Sequence, residues 1–333
     1  MATLTASRDL HGIASASGPG AQLQVKPAAP FVAELSGLDF SAPVTDSLLA
    51  EINGIFATYG VVTVRKDGPT TDEQLIDFAR HFGELDSVTQ HRAQGVGCRV
   101  PHDEIFDVSN LNGDDQIIDL ARDPGKMASA RGNGLWHADG SFNPRRTGLS
   151  MLRAVELPPK GLGGETEFLD CRAAYADLSD EMKQKIDGLV AYHSIIHNRK
   201  VANPESPFFK NLDVMTSPLV RHKVAQIHEP SGRPTLYVTS YTHHIESMGL
   251  EEGKQLVKEL FQHVQQDKYK FTVHWEQPGD LTIWDNTSVL HRATRGAYEG
   301  MYRRDMRRVS VFDTSSYGYG LNTQEDAWKQ AYP

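Results

Sequence analysis

Apolar positions change period several times along the chain, and each change marks an element. Leu48, Leu49, Ile52 and Ile55 recur at helical spacing behind Thr45 or Asp46, either of which can cap the helix. Val61, Val62 and Val64 read as a short buried strand. Thr70-Thr71-Asp72-Glu73 has the form of a capping box, and Leu75, Phe78, Ala79 and Phe82 follow on one helical face until Gly83 stops them. From Gln90 to Arg131 periodicity is lost in a polar stretch punctuated by Gly113, Pro124 and Gly125, a candidate lid or substrate loop.

The remainder is richer in short strands. Leu149, Met151 and Leu152 suggest one that Pro158-Pro159 ends, and Glu165–Leu169 another after the turn Gly161-Leu162-Gly163-Gly164. That turn lacks the GK[ST] ending of a phosphate loop. Asp170 can cap a helix beginning near Arg172, and a second helical run starts at Ser179. Pro218 to Tyr241 reads as two strands joined by a turn at Glu229–Gly232. A helix is expected from about Glu251 to His263, then the alternating Phe271, Val273 and Trp275, then Leu281–Trp284. Many short strands with a few inserted helices predict a mainly β fold with peripheral helices, an antiparallel sandwich or jelly roll, not βαβ units.

Composition narrows the classes. A chain of 333 residues that is 39% hydrophobic and 23% charged has the balance of a globular protein. A net charge of −9 argues against non-specific binding to nucleic acid or an anionic membrane. No apolar run approaches membrane-spanning length. Cys98 and Cys171 match neither a disulfide framework nor a zinc site, which fits a reducing, cytoplasmic setting. Residues 1–25 are rich in Ala, Ser and Gly, lack a secretory apolar core, and read as a tail before a single domain over 26–333.

The candidate chemistry begins at Gly134-Leu135-Trp136-His137-Ala138-Asp139. On a strand, His137 and Asp139 share a face and could hold two adjacent positions on one metal ion; His291 is the candidate third ligand. His193 and His197, four apart but outside an HExxH frame, read as non-ligands. In the run Tyr302–Val311, Arg304, Met306 and Arg308 face one way if the run is a strand. At ~3.3 Å per residue the two arginines are attached roughly 13 Å apart, which suits two anions on either side of a metal.

Taken together, these segments resemble the Fe(II)- and 2-oxoglutarate-dependent dioxygenases of the taurine and 2,4-dichlorophenoxyacetate dioxygenase group. The likeness runs from about Phe31 to Val311. It is carried by Asn133–Asp139, Gly163–Phe168, Trp284-Asp285-Asn286, Leu290-His291-Arg292 and the RRDMRR run. The Gly163 segment and Ser231-Gly232-Arg233 look closer to the phenoxyacetate branch. Ala138 stands where the family commonly has Thr, and neither the tail nor the 90–131 stretch has a matching counterpart.

The resemblance implies a cupin-like double-stranded β-helix. It also implies His137, Asp139 and His291 as the metal ligands, and so the catalytic centre. Thr166 and Arg304 match the pair that holds the distal carboxylate of 2-oxoglutarate. Arg308 matches the arginine that binds the acidic group of the primary substrate, and Asn133 an active-site amide near it. The implied reaction consumes O2 and oxidises, most simply hydroxylates, a C–H of a small anionic carboxylate or sulfonate, releasing succinate and CO2, with ascorbate a useful addition in vitro. Dimers and tetramers are common in the group. The alternatives are a zinc-dependent hydrolase on the same ligands, which leaves Thr166 and Arg304 without a task, and a non-catalytic jelly-roll binding protein.

Overall fold

The computed structural model describes residues 23–65, 68–89, 99–120 and 122–323. Residues 1–22 of the expected tail, 90–98 of the expected loop, and Cys98 with them, lie outside the described residues. The strands are β1 (Gln24–Ala29), β2 (Val32–Ser36), β3 (Val61–Val64), β4 (Phe106–Asp107), β5 (Thr147–Glu156), β6 (Thr166–Asp170), β7 (Val190–His193), β8 (Val220–Lys223), β9 (Ala225–His228), β10 (Arg233–Leu236), β11 (Thr242–Ile245), β12 (Lys270–Val273), β13 (Leu281–Asp285), β14 (Val289–Ala293) and β15 (Asp305–Phe312).

Seven strands form one sheet in the order β1-β2-β3-β13-β5-β15-β4, antiparallel except for the β2–β3 pair. The period-2 alternation of each strand then decides what the sheet packs against. Val62, Val64, Met151, Ile283, Val309 and Val311 point to one face, where they meet Ile52, Ile55, Phe56, Leu75 and Phe78 from two helices, Asp46–Thr58 and Asp72–Arg80. Val61, Leu152, Trp284 and Met306 point to the other. There they pack on Phe168, Val273 and Val289 of a second sheet, β12-β6-β14. This two-sheet arrangement is the expected mainly β jelly roll. A third cluster joins the helix Leu250–Val264 to Ala191, Ile245, Leu169 and Leu290, and encloses Trp136 and Ala138.

Helix starts follow the sequence signals closely. Thr45 Oγ1 accepts from Leu48 N, and Thr71 Oγ1 from Gln74 N, while the Gln74 side chain reaches back to Thr70 N at 2.8 Å. Asp170 and Ser179 cap the helices Cys171–Ala176 and Asp180–Ile186. The expected turn at Gly161–Gly164 has positive φ at Gly161, Gly163 and Gly164, and a Cβ on Gly163 would lie 2.7 Å from Arg295 O.

Two expectations are corrected. Pro218–Tyr241 holds three strands rather than two, because the chain leaves one sheet after Lys223: β8 pairs with β7, whereas β9 and β10 form the hairpin around the expected turn. The His137–Asp139 motif does not sit on a regular strand. His137 makes a single two-hydrogen-bond bridge to His291, and the chain turns at once, with Gly140 at φ 63°. Asp139 N therefore finds its acceptor in a side chain, Asn286, at 2.9 Å. The 90–131 stretch, so far as it is described, contributes β4 beside Arg307 and Arg308 and the helix Pro124–Asn133 that leads into the motif. Among the described residues no helix is long and apolar enough to cross a membrane.

Candidate metal centre

The bridge between His137 and His291 is the backbone of the site. His137 N donates to His291 O at 2.9 Å and His291 N to His137 O at 2.8 Å, which sets the two imidazoles with ring centroids 4.2 Å apart. His137 Nδ1 lies 2.7 Å from Leu135 O, so the ring donates there and leaves Nε2 free as an acceptor. Asp139 enters from the turn, its oxygens 3.8 Å from His137 Nε2 and 3.6 Å from His291 Nε2. All three side chains are buried, and one donor atom from each lies within 4.8 Å of the others. Burial pulls both imidazoles below their ordinary range and keeps them neutral, as ligands must be. Two neutral nitrogens and one carboxylate oxygen suit a divalent iron and leave other positions on it open.

The carboxylate is held from several sides. Ser150 Oγ donates to Asp139 Oδ2 and Arg308 Nη1 to Oδ1, at 2.8 and 2.7 Å. Burial would raise the Asp139 carboxyl, but the Arg308 charge, helped by the Ser150 hydrogen bond, prevails and holds it down at about 2. Asn286 organises the surroundings: its Oδ1 accepts from Asp139 N and Trp284 Nε1, and its Nδ2 donates to Ser150 Oγ and Gly148 O. Ala138, between the two ligands, points into the apolar cluster with Trp136 and Leu169.

The other sequence-derived residues lie on elements that flank this centre. In the β14–β6 register His291 faces Phe168 and Ala293 faces Thr166, so Thr166 shares the face of His291. Thr166 is buried, and its Oγ1 accepts from Trp275 Nε1 at 3.2 Å. Arg304, also buried, donates through Nε and Nη2 to Gly164 O, two residues before Thr166. The expected alternation of the arginine run holds. Arg304, Met306 and Arg308 point inward, while Asp305 and Arg307 join Arg99, Asp107 and Asp72 in an outer ion-pair network. Asn133 is the half-buried last residue of its helix, four positions before His137. His193 lies in a separate buried group with His222 and Tyr237, and His197 packs against His243, so neither joins the triad.

Sequence reasoning gave no task to several residues that line this region. Ser150 and Asn286 hold Asp139, although Trp284-Asp285-Asn286 was visible as a motif. Phe106 of the polar stretch lies beneath the Arg308 guanidinium, 5.1 Å from ring centroid to Cζ. The Tyr241 ring stands edge-on to His137 at 6.0 Å and packs on Phe142. Asp86 is near enough for its charge to interact with both Arg308 and Asp139. Phe106, Tyr241 and Asp86 carry no local signal.

A jelly roll that brings together one histidine from β14 and a histidine and an aspartate from the bridge and turn before β5 has the donor set of a mononuclear non-haem iron oxygenase. The profile of the taurine catabolism dioxygenase TauD, TfdA family matches residues 24–310. The chain is 32% identical, over 84% of its length and 91% of the relative, to an alpha-ketoglutarate-dependent 2,4-dichlorophenoxyacetate dioxygenase of Burkholderia sp.. A counterpart from Cupriavidus pinatubonensis is 31% identical over 85% of this chain and 95% of its own length. Among solved structures, that of AAD-2 in complex with Mn(II) and N-oxalylglycine is 32% identical with a TM-score of 0.75, covering 88% of this chain and 98% of the other.

The chain belongs to the TauD, TfdA family, and is an oxidoreductase: an Fe(II)- and 2-oxoglutarate-dependent dioxygenase that uses O2. Neither the hydrolase nor the non-catalytic reading finds support in these likenesses.

Proposed function

We propose that the protein oxidises one C–H bond of a small organic acid, a carboxylate or sulfonate, and that each inward residue has a distinct task in doing so. His137, Asp139 and His291 would hold the iron, with Asn286 and Ser150 fixing the carboxylate. Thr166 and Arg304 would receive the far carboxylate of 2-oxoglutarate, Arg304 being positioned by Gly164 O. When bound, iron and 2-oxoglutarate together supply an oxidant, with succinate and CO2 as by-products. Arg308 takes the acidic group of the substrate and so places one carbon beside the metal centre; Phe106 gives its guanidinium an aromatic floor, and Asn133 offers an amide at the rim.

The observation that carries this reading is the convergence of three buried donors with Arg308, whose Nη1 lies 2.7 Å from Asp139 Oδ1. It ties the substrate-facing cation to the metal-facing carboxylate. Relatives named for 2,4-dichlorophenoxyacetate make aryloxyacetates the first compounds to try. Cys171, a free buried thiol, is in keeping with a cytoplasmic setting.

The test is succinate formation by purified protein under air with Fe(II), 2-oxoglutarate and ascorbate, against a panel of aryloxyacetates, sulfonates and simple carboxylates. His137→Ala serves as the blank. Succinate that rises with a panel member supports the reading, and sedimentation of the same preparation would decide between monomer, dimer and tetramer. Iron-loaded protein that makes no succinate above the blank with any acid would overturn it.

A further inference from the structure

Arg199 pairs with no carboxylate among the described residues, and neither does Arg304, which the reading above gives to 2-oxoglutarate. Arg199 lies on the helix Ile195–Ala202, which packs against the helix Pro124–Asn133 leading to His137. Its guanidinium rests directly on the last turn of that helix: a Cβ added to Gly132 would be 3.1 Å from Arg199 Cζ and 2.8 Å from Asn198 Oδ1. Only a residue without a side chain leaves room for it there.

The position is locked. Arg199 Nη1 donates to Asn198 Oδ1 at 2.9 Å, Asn198 Nδ2 to Ser240 Oγ at 2.9 Å, and Ser240 N to Trp136 O beside His137. Tyr241, the residue after Ser240, sets its ring edge-on to His137 at 6.0 Å, so this chain of contacts runs from Arg199 to the metal motif. The circumstances of Arg308 and Arg199 differ. Arg308 has Asp139 at 2.7 Å and Asp86 within electrostatic reach, whereas half-buried Arg199 has a neutral amide and no carboxylate among the described residues. A half-buried guanidinium whose side-chain partner is a neutral amide keeps donors that an anionic group of a ligand can take.

We propose that Arg199 is a specificity-determining residue that binds a second acidic group of the primary substrate, so that the substrate is a dianion spanning from Arg308 to Arg199. The inference rests on the reading above and narrows its substrate class. The arginine fork suits a planar carboxylate or a sulfonate at the far end, and the Tyr241 and Phe106 rings suit an apolar or aromatic spacer between the two acids.

The experiment compares phenoxyacetate with 4-carboxyphenoxyacetate by calorimetric titration of Fe(II)- and 2-oxoglutarate-loaded protein without oxygen. The wild type is expected to favour the dianion by about tenfold or more, the scale of one charge-assisted contact. Arg199→Ala should bring that ratio close to one, and Arg199→Lys should keep part of it. Arg199→Glu should turn the preference toward 4-(aminomethyl)phenoxyacetate, a reversal that damaged folding cannot produce. A wild type without preference for the dianion, or a ratio unmoved in Arg199→Ala, overturns the proposal. Binding is read without turnover, so absence of succinate under air would count against the preceding reading alone.

Discussion

The guanidinium of Arg308 donates to Asp139 Oδ1 at 2.7 Å, although the two residues belong to different elements 169 positions apart. A strand-borne cation and a turn-borne metal ligand are thereby one electrostatic unit, whereas Arg304, on the same face of the same run, is held by a backbone carbonyl instead. The two arginines should therefore fail differently. Arg304→Ala is expected to raise the KM for 2-oxoglutarate by about tenfold to a hundredfold, the loss of a charge-assisted contact, with Fe(II) affinity little changed. Arg308→Ala should raise the KM for the primary acid by a similar factor and also weaken Fe(II) binding, because Asp139 loses a partner. Measured KM values and Fe(II) titrations that reverse this pattern would show the two tasks to be exchanged.

Asn286 does not reach the metal position but makes four hydrogen bonds around it, to Asp139 N, Trp284 Nε1, Ser150 Oγ and Gly148 O. Asn286→Ala leaves two N–H groups, Asp139 N and Trp284 Nε1, without their acceptor and removes the donor to Ser150 Oγ. The expected result is roughly a tenfold to hundredfold loss of Fe(II) affinity, as for other groups that orient ligands, in a protein that still folds. Titration with Fe(II) or Co(II), with circular dichroism as the folding control, measures it; unchanged affinity would remove Asn286 from the site.

Gly164 has φ 89°, and a Cβ there would come 3.2 Å from Arg304 Nε. Gly164→Ala combines a left-handed backbone with pressure on the guanidinium that Gly164 O positions. Destabilisation of about 1–3 kcal/mol is expected from the backbone alone. A rise in the KM for 2-oxoglutarate should accompany it. Chemical denaturation and steady-state kinetics read the two effects separately, and lost stability with an unaltered KM would show that Arg304 does not depend on this seat.

His193 is completely buried, and burial, aided by Arg146 and His197, holds its imidazole down at about 3. In the unfolded chain it titrates near 6.5. Between these values the unfolded state binds a proton that the folded state refuses, so stability falls as pH drops from about 6.5 toward 3, by at most ~1.4 kcal/mol per pH unit for this group. Thermal midpoints of chelator-treated protein between pH 7 and 4.5 should decline, and His193→Asn should flatten the decline. An equal slope in wild type and variant would locate the acid sensitivity elsewhere.

Much of the chain's organisation was legible locally. Thr45, Thr71, Asp170 and Ser179 announce their helices because a cap hydrogen bond joins residues two or three apart, and such short-range bonds leave a mark in sequence. The alternation Arg304-Met306-Arg308 was likewise visible, since strand geometry alone puts every second side chain on one face. Those patterns, with the order of the motifs, determined the jelly roll, the three metal-site residues and the inward pair of arginines.

Tertiary structure decided what these groups meet. That Asp139 sits in a turn satisfied by Asn286, that Arg308 leans on Phe106 and pairs with Asp139, and that Arg199 stands over Gly132 all depend on strand register and helix packing between distant segments. A hydrogen bond or an ion pair across 147 or 169 positions costs chain entropy that only the closed fold repays, so neither partner need carry any local sign of the other. Sequence named the chemistry; packing chose its neighbours and, with them, the shape and charge of what the site can hold.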